Sequence, residues 1–200
     1  MMKKNIQKIG DEYKNQWKYF KEHRKICYPV ITLFGAITIL GLGYDRILIG
    51  IQEQIVSEII SMVTGKTMIG TIIMIIRQNL ISNILAFLLG FTIIYPLIVL
   101  TTNSYLIGAI TSRKIEELGF WVALRLLPHG IFEVPAFILA ITAGLSVGLS
   151  VFKADKHPYR KEFISGLKFF LLVIIPLLII AGIIEGILVF ETGSTLTTIA

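Results

Sequence analysis

Residues 120–152 read FWVALRLLPHGIFEVPAFILAITAGLSVGLSVF, an almost unbroken apolar stretch in which a few polar groups recur at a regular interval. Arg125, His129 and Glu133 lie four residues apart, a spacing that places them on one face of a helix. Charged or titratable side chains are costly inside a membrane, so each one is expected to have a partner within the protein. The stretch therefore predicts a membrane helix that carries the main candidate site.

The composition places the whole chain in a membrane. Of its 200 residues, 54% are hydrophobic and only 16% are charged, which is more apolar surface than a soluble domain of this size buries. The apolar residues form long blocks, suited to the roughly 20 residues that a helix needs to cross a bilayer, and they lack the alternation of a β-barrel. The sequence predicts an all-α, polytopic membrane helical bundle with about five transmembrane helices.

The amino-terminal part is predicted to lie on the cytoplasmic surface before the chain enters the bilayer. Residues 1–25 carry eight basic and three acidic side chains, a bias that keeps a segment in the cytoplasm and attracts anionic headgroups. Apolar side chains recur there at helical spacing and predict one stripe of an amphipathic helix: Ile6, Ile9, Tyr13, Trp17 and Phe20. Span 1 is predicted at 26–43, followed by an interfacial helix on the outer side at 44–66.

The middle of the chain contains the longest apolar block. Residues 67–112 are long enough for two crossings, spans 2 and 3, with Gly90 and Pro96 available to break the chain between them. Residues 120–152 are too long for one straight span and too short for two. Pro128 predicts a break there, so this stretch is interpreted as a short re-entrant piece that leads into span 4.

Charged segments set the predicted orientation. Residues 113–117 form a short neutral loop, and residues 153–163 form a basic loop that belongs in the cytoplasm together with the amino terminus. An even number of crossings must separate the two, so four spans precede the basic loop and span 5, residues 167–190, follows it. The chain is predicted to be one domain, 1–200, in the cell membrane, with its amino terminus cytoplasmic and its carboxyl terminus outside.

Three blocks in the middle of the chain carry a family likeness: RQNLISNILAFLLGF at 77–91, NSYLIG at 103–108 and LLPHGIFEVPAFILAITAGLSVG at 126–148. In this order they resemble the stage II sporulation protein M family of multi-span membrane proteins. Where that family usually has Asn-Gly, this chain has Asn103-Ser104. The resemblance implies a scaffold rather than an enzyme, because the best-known members hold cell-wall-degrading partners at a septal membrane during engulfment.

The column of Arg125, His129 and Glu133, here named the polar column, has two interpretations. In the functional one, His129 binds a metal ion or a proton, and Glu133 acts as second ligand or general base. A catalytic metal site usually takes three protein ligands and neither His23 nor His157 lies in a predicted span, so no metal or other cofactor is predicted. In the structural one, which the sequence favours, the column is a buried ion pair or hydrogen-bond cluster that fixes a broken helix.

Two further sets of residues are candidates for contacts between helices. Asn79, Asn83 and Asn103 are predicted partners of His129 or Glu133 across the bundle, because an asparagine side chain carries both a donor and an acceptor. Small residues four apart allow helices to approach closely, and two such pairs lie in predicted spans: Gly144 with Gly148, and Gly182 with Gly186. Packing within one chain is the favoured use of these glycines, and a homodimer is the alternative.

The sequence favours a non-catalytic membrane scaffold or assembly protein with membrane protein partners. The alternative is a transporter or an intramembrane metal-dependent enzyme that uses the polar column. Glu185, toward the outer end of span 5, is expected to be solvated or to pair with Arg46 or Arg77. The net charge of +6 is explained by topology and anionic lipids, so no nucleic acid partner is predicted.

Overall fold

The computed structural model describes residues 2–63, 65–152 and 158–199, and all regular elements in these ranges are helices. Side chains are described there except at 2–6, 9, 55–56, 59–60, 62–63, 122–127, 129, 158 and 192–199. In chain order the elements are α1 (Met2–Gly43), α2 (Ile49–Val63), α3 (Met68–Leu88), a 3-10 turn (Leu89–Thr92), α4 (Ile94–Leu118), α5 (Trp121–Ser150), α6 (Pro158–Phe169), a π turn (Phe170–Ile174) and α7 (Ile175–Ile199). The last three elements follow one another without a break and form one rod.

Among the described residues, five helices are long and apolar enough to cross a membrane, which confirms the predicted fold class. They are α1, α3, α4, α5 and the rod formed by α6, the π turn and α7. Helix α2 has 15 residues, fewer than the roughly 20 that a crossing needs. The chain is therefore a multi-pass membrane protein.

A tight turn divides the apolar block 67–112 into α3 and α4. Thr92 lies just before the N-cap residue Ile93, and its Oγ1 accepts a hydrogen bond from the Tyr95 N–H in the first turn of α4 at 3.1 Å. Pro96 follows in the first turn of α4, where its missing N–H has no helical partner to lose. Ile93 has a φ of +59°, a left-handed conformation that is rare for a β-branched residue, so the packing around the turn must hold it.

Helix α5 is continuous, and the prediction of a break at Pro128 is therefore wrong. The stretch interpreted as a re-entrant piece belongs to the same helix as span 4. Pro128 and Pro135 both lie inside this helix and both are exposed on its surface. A proline removes one backbone hydrogen bond and can kink a helix, but the remaining backbone hydrogen bonds carry this helix through both positions.

Two segments predicted as loops are wholly or partly helical. Residues 113–117 belong to the last turns of α4, and the chain reverses at Gly119, whose φ of +81° suits a glycine. In the basic segment 153–163, helix α6 already begins at Pro158, while residues 153–157 lie outside the described ranges. Helical spacing brings charges of opposite sign together, as for Lys114 and Glu117, so such segments suit a helix as well as a loop.

Helix α1 joins two segments that the charge pattern separates, the predicted surface helix and span 1. Tyr13 and Trp17 of the predicted apolar stripe are exposed, and the buried residues are instead Gln16, Tyr19, His23, Cys27 and Val30. At about 100° per residue, the buried face is rotated from the stripe by roughly a quarter of a turn. Lipid surrounds the bundle, so an apolar stripe has no need to face protein.

Helix α5 is the centre of the bundle. Its residues 140–148 are all buried, so neighbouring helices cover every side of it at this level. One side packs in a core that contains Phe87 and Phe170, and the other packs in a core that contains Cys27 and Leu100. The other spans are therefore aligned against α5.

The glycines of α5 face the backbone of its neighbour. A Cβ atom at Gly144 would lie 2.6 Å from the carbonyl oxygen of Ala86, and a Cβ at Gly148 would overlap the carbonyl oxygen of Gly90. Gly90 in turn faces the backbone of Gly144. Only residues without a side chain allow this approach between α5 and the 3-10 turn.

The glycines of α7 face side chains of α3. A Cβ at Gly182 would meet the Cγ1 atom of Ile76 at 2.5 Å, and one at Gly186 would meet the Cγ1 atom of Ile72 at 2.6 Å. Both glycine pairs of the sequence thus pack within the chain. A homodimer stays a prediction, and these covered faces are not free to form it.

Helices α1 and α4 have a further close contact, which no GxxxG pattern in the sequence predicts. Gly41 faces the backbone of Tyr105, and Gly108 faces the backbone of Thr38. The Tyr105 hydroxyl donates a hydrogen bond to the carbonyl oxygen of Tyr44 at 2.6 Å. The two glycines lie on different helices, so their spacing in the sequence carries no signal.

The bundle has two chemically distinct ends. The basic end comprises residues 10–25 of α1 together with α6, where the Lys168 Nζ and Glu12 Oε1 atoms are 3.6 Å apart. The opposite end comprises α2 and the end of α4, where an Arg113 nitrogen and a Glu53 oxygen are 3.8 Å apart. These contacts attach the non-spanning parts of the chain to the spans.

Candidate functional site

The polar column lies on successive turns of α5. The backbone places Arg125, His129 and Glu133 within the continuous helix Trp121–Ser150, at intervals of four. The side chains of Arg125 and His129 lie outside the described residues. Glu133 is the member whose surroundings are described, and it is half-buried.

Polar side chains from three helices come together beside Glu133. Glu185 of α7 is close enough to Glu133 of α5 for their charges to interact, and it is also half-buried. Asn79 of α3 lies beside Glu185. The Asn79 Nδ2 atom is buried and forms no hydrogen bond of good geometry among the described residues. We name Glu133, Glu185 and Asn79 the carboxylate cluster.

Glu185 does not have the surroundings that the charge pattern predicts. Among the described residues, no ion pair joins it to Arg46 or Arg77, and Arg77 is exposed. It lies next to Gly186, on the side of α7 that packs against α3. The position of Glu185 beside a GxxxG pair is the sequence signal from which its location inside the bundle could have been predicted.

Two of the three predicted asparagines bond to their own helices. The Asn83 amide donates to the Asn79 carbonyl oxygen at 2.8 Å, and the Asn103 amide donates to the Val99 carbonyl oxygen at 2.8 Å. In an apolar surrounding the carbonyl one turn earlier is the nearest acceptor, and it competes with partners on other helices. Asn79 is thus the asparagine that the structure brings to the carboxylate cluster.

Asn103-Ser104, where the sequence resemblance predicts Asn-Gly, lies within α4. Ser104 is fully buried, and its hydroxyl donates to the carbonyl oxygen of Leu100 at 2.6 Å. A serine therefore fits this position, and its polar group is satisfied within α4.

The carboxylate cluster has a defined chemical capacity. Two neighbouring carboxylates in an apolar surrounding attract a cation or share a proton, and an amide adds both a donor and an acceptor. Within the residues that the structure describes, no three His, Cys, Asp or Glu side chains are placed to hold a metal ion together. The described part of the cluster can therefore attract a proton or a cation.

A second buried polar contact lies at the basic end, and the sequence did not single it out. The His23 Nε2 atom of α1 and the Glu162 Oε1 atom of α6 are 2.8 Å apart, with side chains only 10% and 15% exposed. The His23 Nδ1 atom lies 2.8 Å from the carbonyl oxygen of Tyr19. Its ring also packs against the Tyr19 ring, with centroids 4.2 Å apart.

The protonation of this contact follows from its geometry. A carbonyl oxygen only accepts, so the Nδ1 atom of His23 carries a proton. The Nε2 atom faces Glu162, so the two side chains hold one more proton between them, as an imidazolium with a carboxylate or an imidazole with a carboxylic acid. In both forms the contact fastens α1 to α6.

The sequence contained a signal for this contact. Tyr19, His23 and Cys27 recur at intervals of four, and all three are buried. This mixed stripe runs beside the more apolar one that contains Trp17. Hydropathy favoured the apolar stripe, because it does not distinguish a face that meets lipid from a face that meets protein.

Comparison with known families assigns the chain to one of them. The family model described as Stage II sporulation protein M matches residues 26–189, most of the chain. The chain therefore belongs to this family, as its three sequence blocks indicate. The match contains Glu133, Glu185 and Glu162, and it leaves the amino-terminal part of α1 outside.

A similar protein is an uncharacterised protein of Methanocaldococcus jannaschii. It is 34% identical over 104 residues, which is 48% of this chain and 47% of the relative. The match thus spans about half the length of that protein. No solved structure matches the chain.

Proposed function

We propose that this member of the stage II sporulation protein M family is a non-catalytic membrane scaffold that holds other membrane proteins in place. The observation that carries the proposal is the packing of α5, whose residues 140–148 are buried on every side. Backbone contacts at Gly90 and Gly144 close this core further. A close-packed interior resists deformation, so the outer faces keep fixed relative positions, as a scaffold requires.

Exposed polar side chains at both ends are the proposed contacts for partners. At the opposite end, α2 presents Glu53, Gln54 and Glu58. At the basic end, α6 presents Arg160 and Lys161. The side chains named here are acidic or polar on α2 and basic on α6, a difference that favours different partners.

The proposed orientation puts the basic end in the cytoplasm and the opposite end outside, because basic segments are retained on the cytoplasmic side. Lys161 and Glu117 are exposed at the two ends, and Cys27, the only native cysteine, is buried. In a Cys27→Ser background, K161C in intact cells should resist a membrane-impermeant maleimide and E117C should react. The reverse pattern would overturn the orientation.

Photo-crosslinking in intact membranes tests the scaffold. A photoreactive amino acid at Gln54 or Lys161, both exposed, should yield discrete products of fixed size with membrane proteins. The same amino acid at Ile81, which is 46% exposed within span α3 and away from both ends, is the matched control and should yield none. Absence of defined products at both Gln54 and Lys161 would contradict the scaffold.

The carboxylate cluster favours a second candidate function, transport of a proton or a monovalent cation. Ionisable groups at membrane depth commonly mark such pathways. Vesicles that contain the purified chain and an internal pH- or sodium-sensitive dye should then show a flux that is lost in Glu133→Gln and in Glu185→Gln. The scaffold instead predicts no flux in any of the three proteins and unchanged crosslinks in both variants.

A further inference from the structure

A groove separates the amino-terminal half of α1 from the outer faces of α5 and the α6–α7 rod. Its volume is about 260 Å³, and its walls are formed mainly by Tyr13, Trp17, Phe20, Leu139, Phe169 and Val173. Sites for compact drug-sized ligands usually have volumes of roughly 300–1,000 Å³. A smaller apolar groove suits an extended alkyl chain better.

The two walls of the groove have the chemistry of a membrane boundary. Leu139 and Val173 belong to apolar spans and are half-buried. Tyr13 and Trp17, opposite them, are 51% and 59% exposed. Tyrosine and tryptophan are enriched where hydrocarbon meets headgroups, so the groove has one wall typical of the membrane core and one typical of its surface.

Positive charges lie along one rim of the groove. The Lys21 Nζ atom is 5.4 Å from the centroid of the Trp17 ring. Arg24 follows Phe20 by four residues, so helical spacing puts it on the same side of α1. Among the described residues, neither Lys21 nor Arg24 forms an ion pair. Both charges are therefore available to an anion.

We propose that this groove is a binding site for one anionic phospholipid of the surrounding membrane. An acyl chain lies between Trp17 and Leu139, and the phosphate is held by Lys21 and Arg24. An ammonium attracts a phosphate as a point charge, and a guanidinium binds it through two parallel hydrogen bonds. A zwitterionic lipid offers the same chain with a neutral headgroup and binds more weakly. The site is independent of the scaffold function proposed above.

Trp17 itself is the probe for the test. The chain has two tryptophans, so Trp121→Phe leaves Trp17 as the only one. The full chain with this substitution is reconstituted into phosphatidylglycerol–phosphatidylcholine vesicles in which either lipid carries brominated chains, which quench a tryptophan in contact. One basic residue near an anionic surface contributes about fivefold in affinity. Two such residues predict that phosphatidylglycerol occupies the site roughly tenfold or more in preference to phosphatidylcholine.

Variants that each remove one positive charge distinguish a specific site from diffuse surface charge. Lys21→Gln and Arg24→Gln should each lower the preference about fivefold. Lys18→Gln removes the same charge from another face of α1, where Lys18 pairs with Glu22 at 3.9 Å, and should leave the preference unchanged. Equal quenching by the two lipids in the parent protein, or an equal loss in Lys18→Gln, would overturn the proposal.

Discussion

Two glycine pairs with the same spacing meet their neighbours in different ways. Gly144 and Gly148 of α5 face backbone atoms of α3 and the 3-10 turn. Gly182 and Gly186 of α7 face isoleucine side chains of α3 first. A side chain can change its rotamer and a packed backbone cannot move alone, so the contact of α5 is rigid, whereas the contact of α7 is adjustable at Gly182 and less so at Gly186, where a Cβ would also lie 2.8 Å from the Ile72 Cα atom.

The difference originates in the partner. Opposite α5 the chain supplies another glycine, Gly90, whereas opposite α7 it supplies Ile72 and Ile76. A GxxxG pattern reports only one side of a contact. Substitutions that add or remove single carbon atoms distinguish the two contacts.

The largest effect is expected for Gly90→Ala. Its Cβ would overlap the backbone of Gly144, and relief requires α5 and the 3-10 turn to separate. Overpacking of this kind costs up to about 3 kcal/mol. Reversible unfolding of the purified protein in mixed detergent micelles should show this loss. Unchanged stability would mean that the two backbones are not in contact.

A smaller effect is expected for Gly182→Ala, about 1 kcal/mol. The nearest atom to the added Cβ is the Ile76 Cγ1, at 2.5 Å. Ile76→Ala removes that atom, so in a double-mutant cycle the second substitution should recover part of the stability lost by the first. Additive losses in the same unfolding assay would show that the α3 backbone is the obstacle here too.

Ser104→Gly should cost about 1 kcal/mol or less. The substitution introduces the glycine that the sequence resemblance predicts here, but it removes the hydroxyl hydrogen bond to the Leu100 carbonyl and raises the entropy of the unfolded chain. Thermal unfolding is measured for this variant and for Ser104→Ala, which keeps the Cβ and lacks the hydroxyl. The comparison separates the effect of the lost hydrogen bond from the effect of the added backbone freedom. A gain in stability with glycine would show that the serine strains the contact.

The smallest effect belongs to Gly35→Ala, where an added Cβ meets no atom within 4 Å. Alanine is the better helix former, so stability should stay equal or rise by less than about 1 kcal/mol. The same unfolding measurement makes this variant the control for the other three. A loss here would indicate that α1 tolerates no added carbon, whatever its contacts.

Spans were predictable because hydrophobic length sets a crossing helix almost alone. The side of each span that packs against protein was not predictable, because lipid and protein interior are equally apolar. Hydropathy therefore does not show that Tyr19 is buried and Trp17 is exposed. The expected break at Pro128 failed for a related reason. The prediction considered only the backbone hydrogen bond that a proline removes. In a membrane, the remaining backbone groups of the helix have no water to bond to, so they keep their helical hydrogen bonds.

The candidate site was half predictable. Glu133 was identified from the sequence because it is a charged residue within an apolar stretch. This identification required no knowledge of which helices pack around it. Recognition of Glu185 as its neighbour needs the rotation of α7, which follows from the packing of Gly186 against α3. His23 remained hidden because its partner, Glu162, is far away in the sequence.

Helix α1 has a mechanical consequence. Its 42 residues form a rod of about 63 Å that His23 attaches to α6 near its midpoint and Gly41 attaches to α4 near its carboxyl end. Pro29, between the two attachments, lacks a backbone donor and is the point where bending costs least. The residues before His23 thus extend beyond the first attachment, and a displacement of the first half of α1 is expected to bend the helix at Pro29 while its second half stays packed on α4.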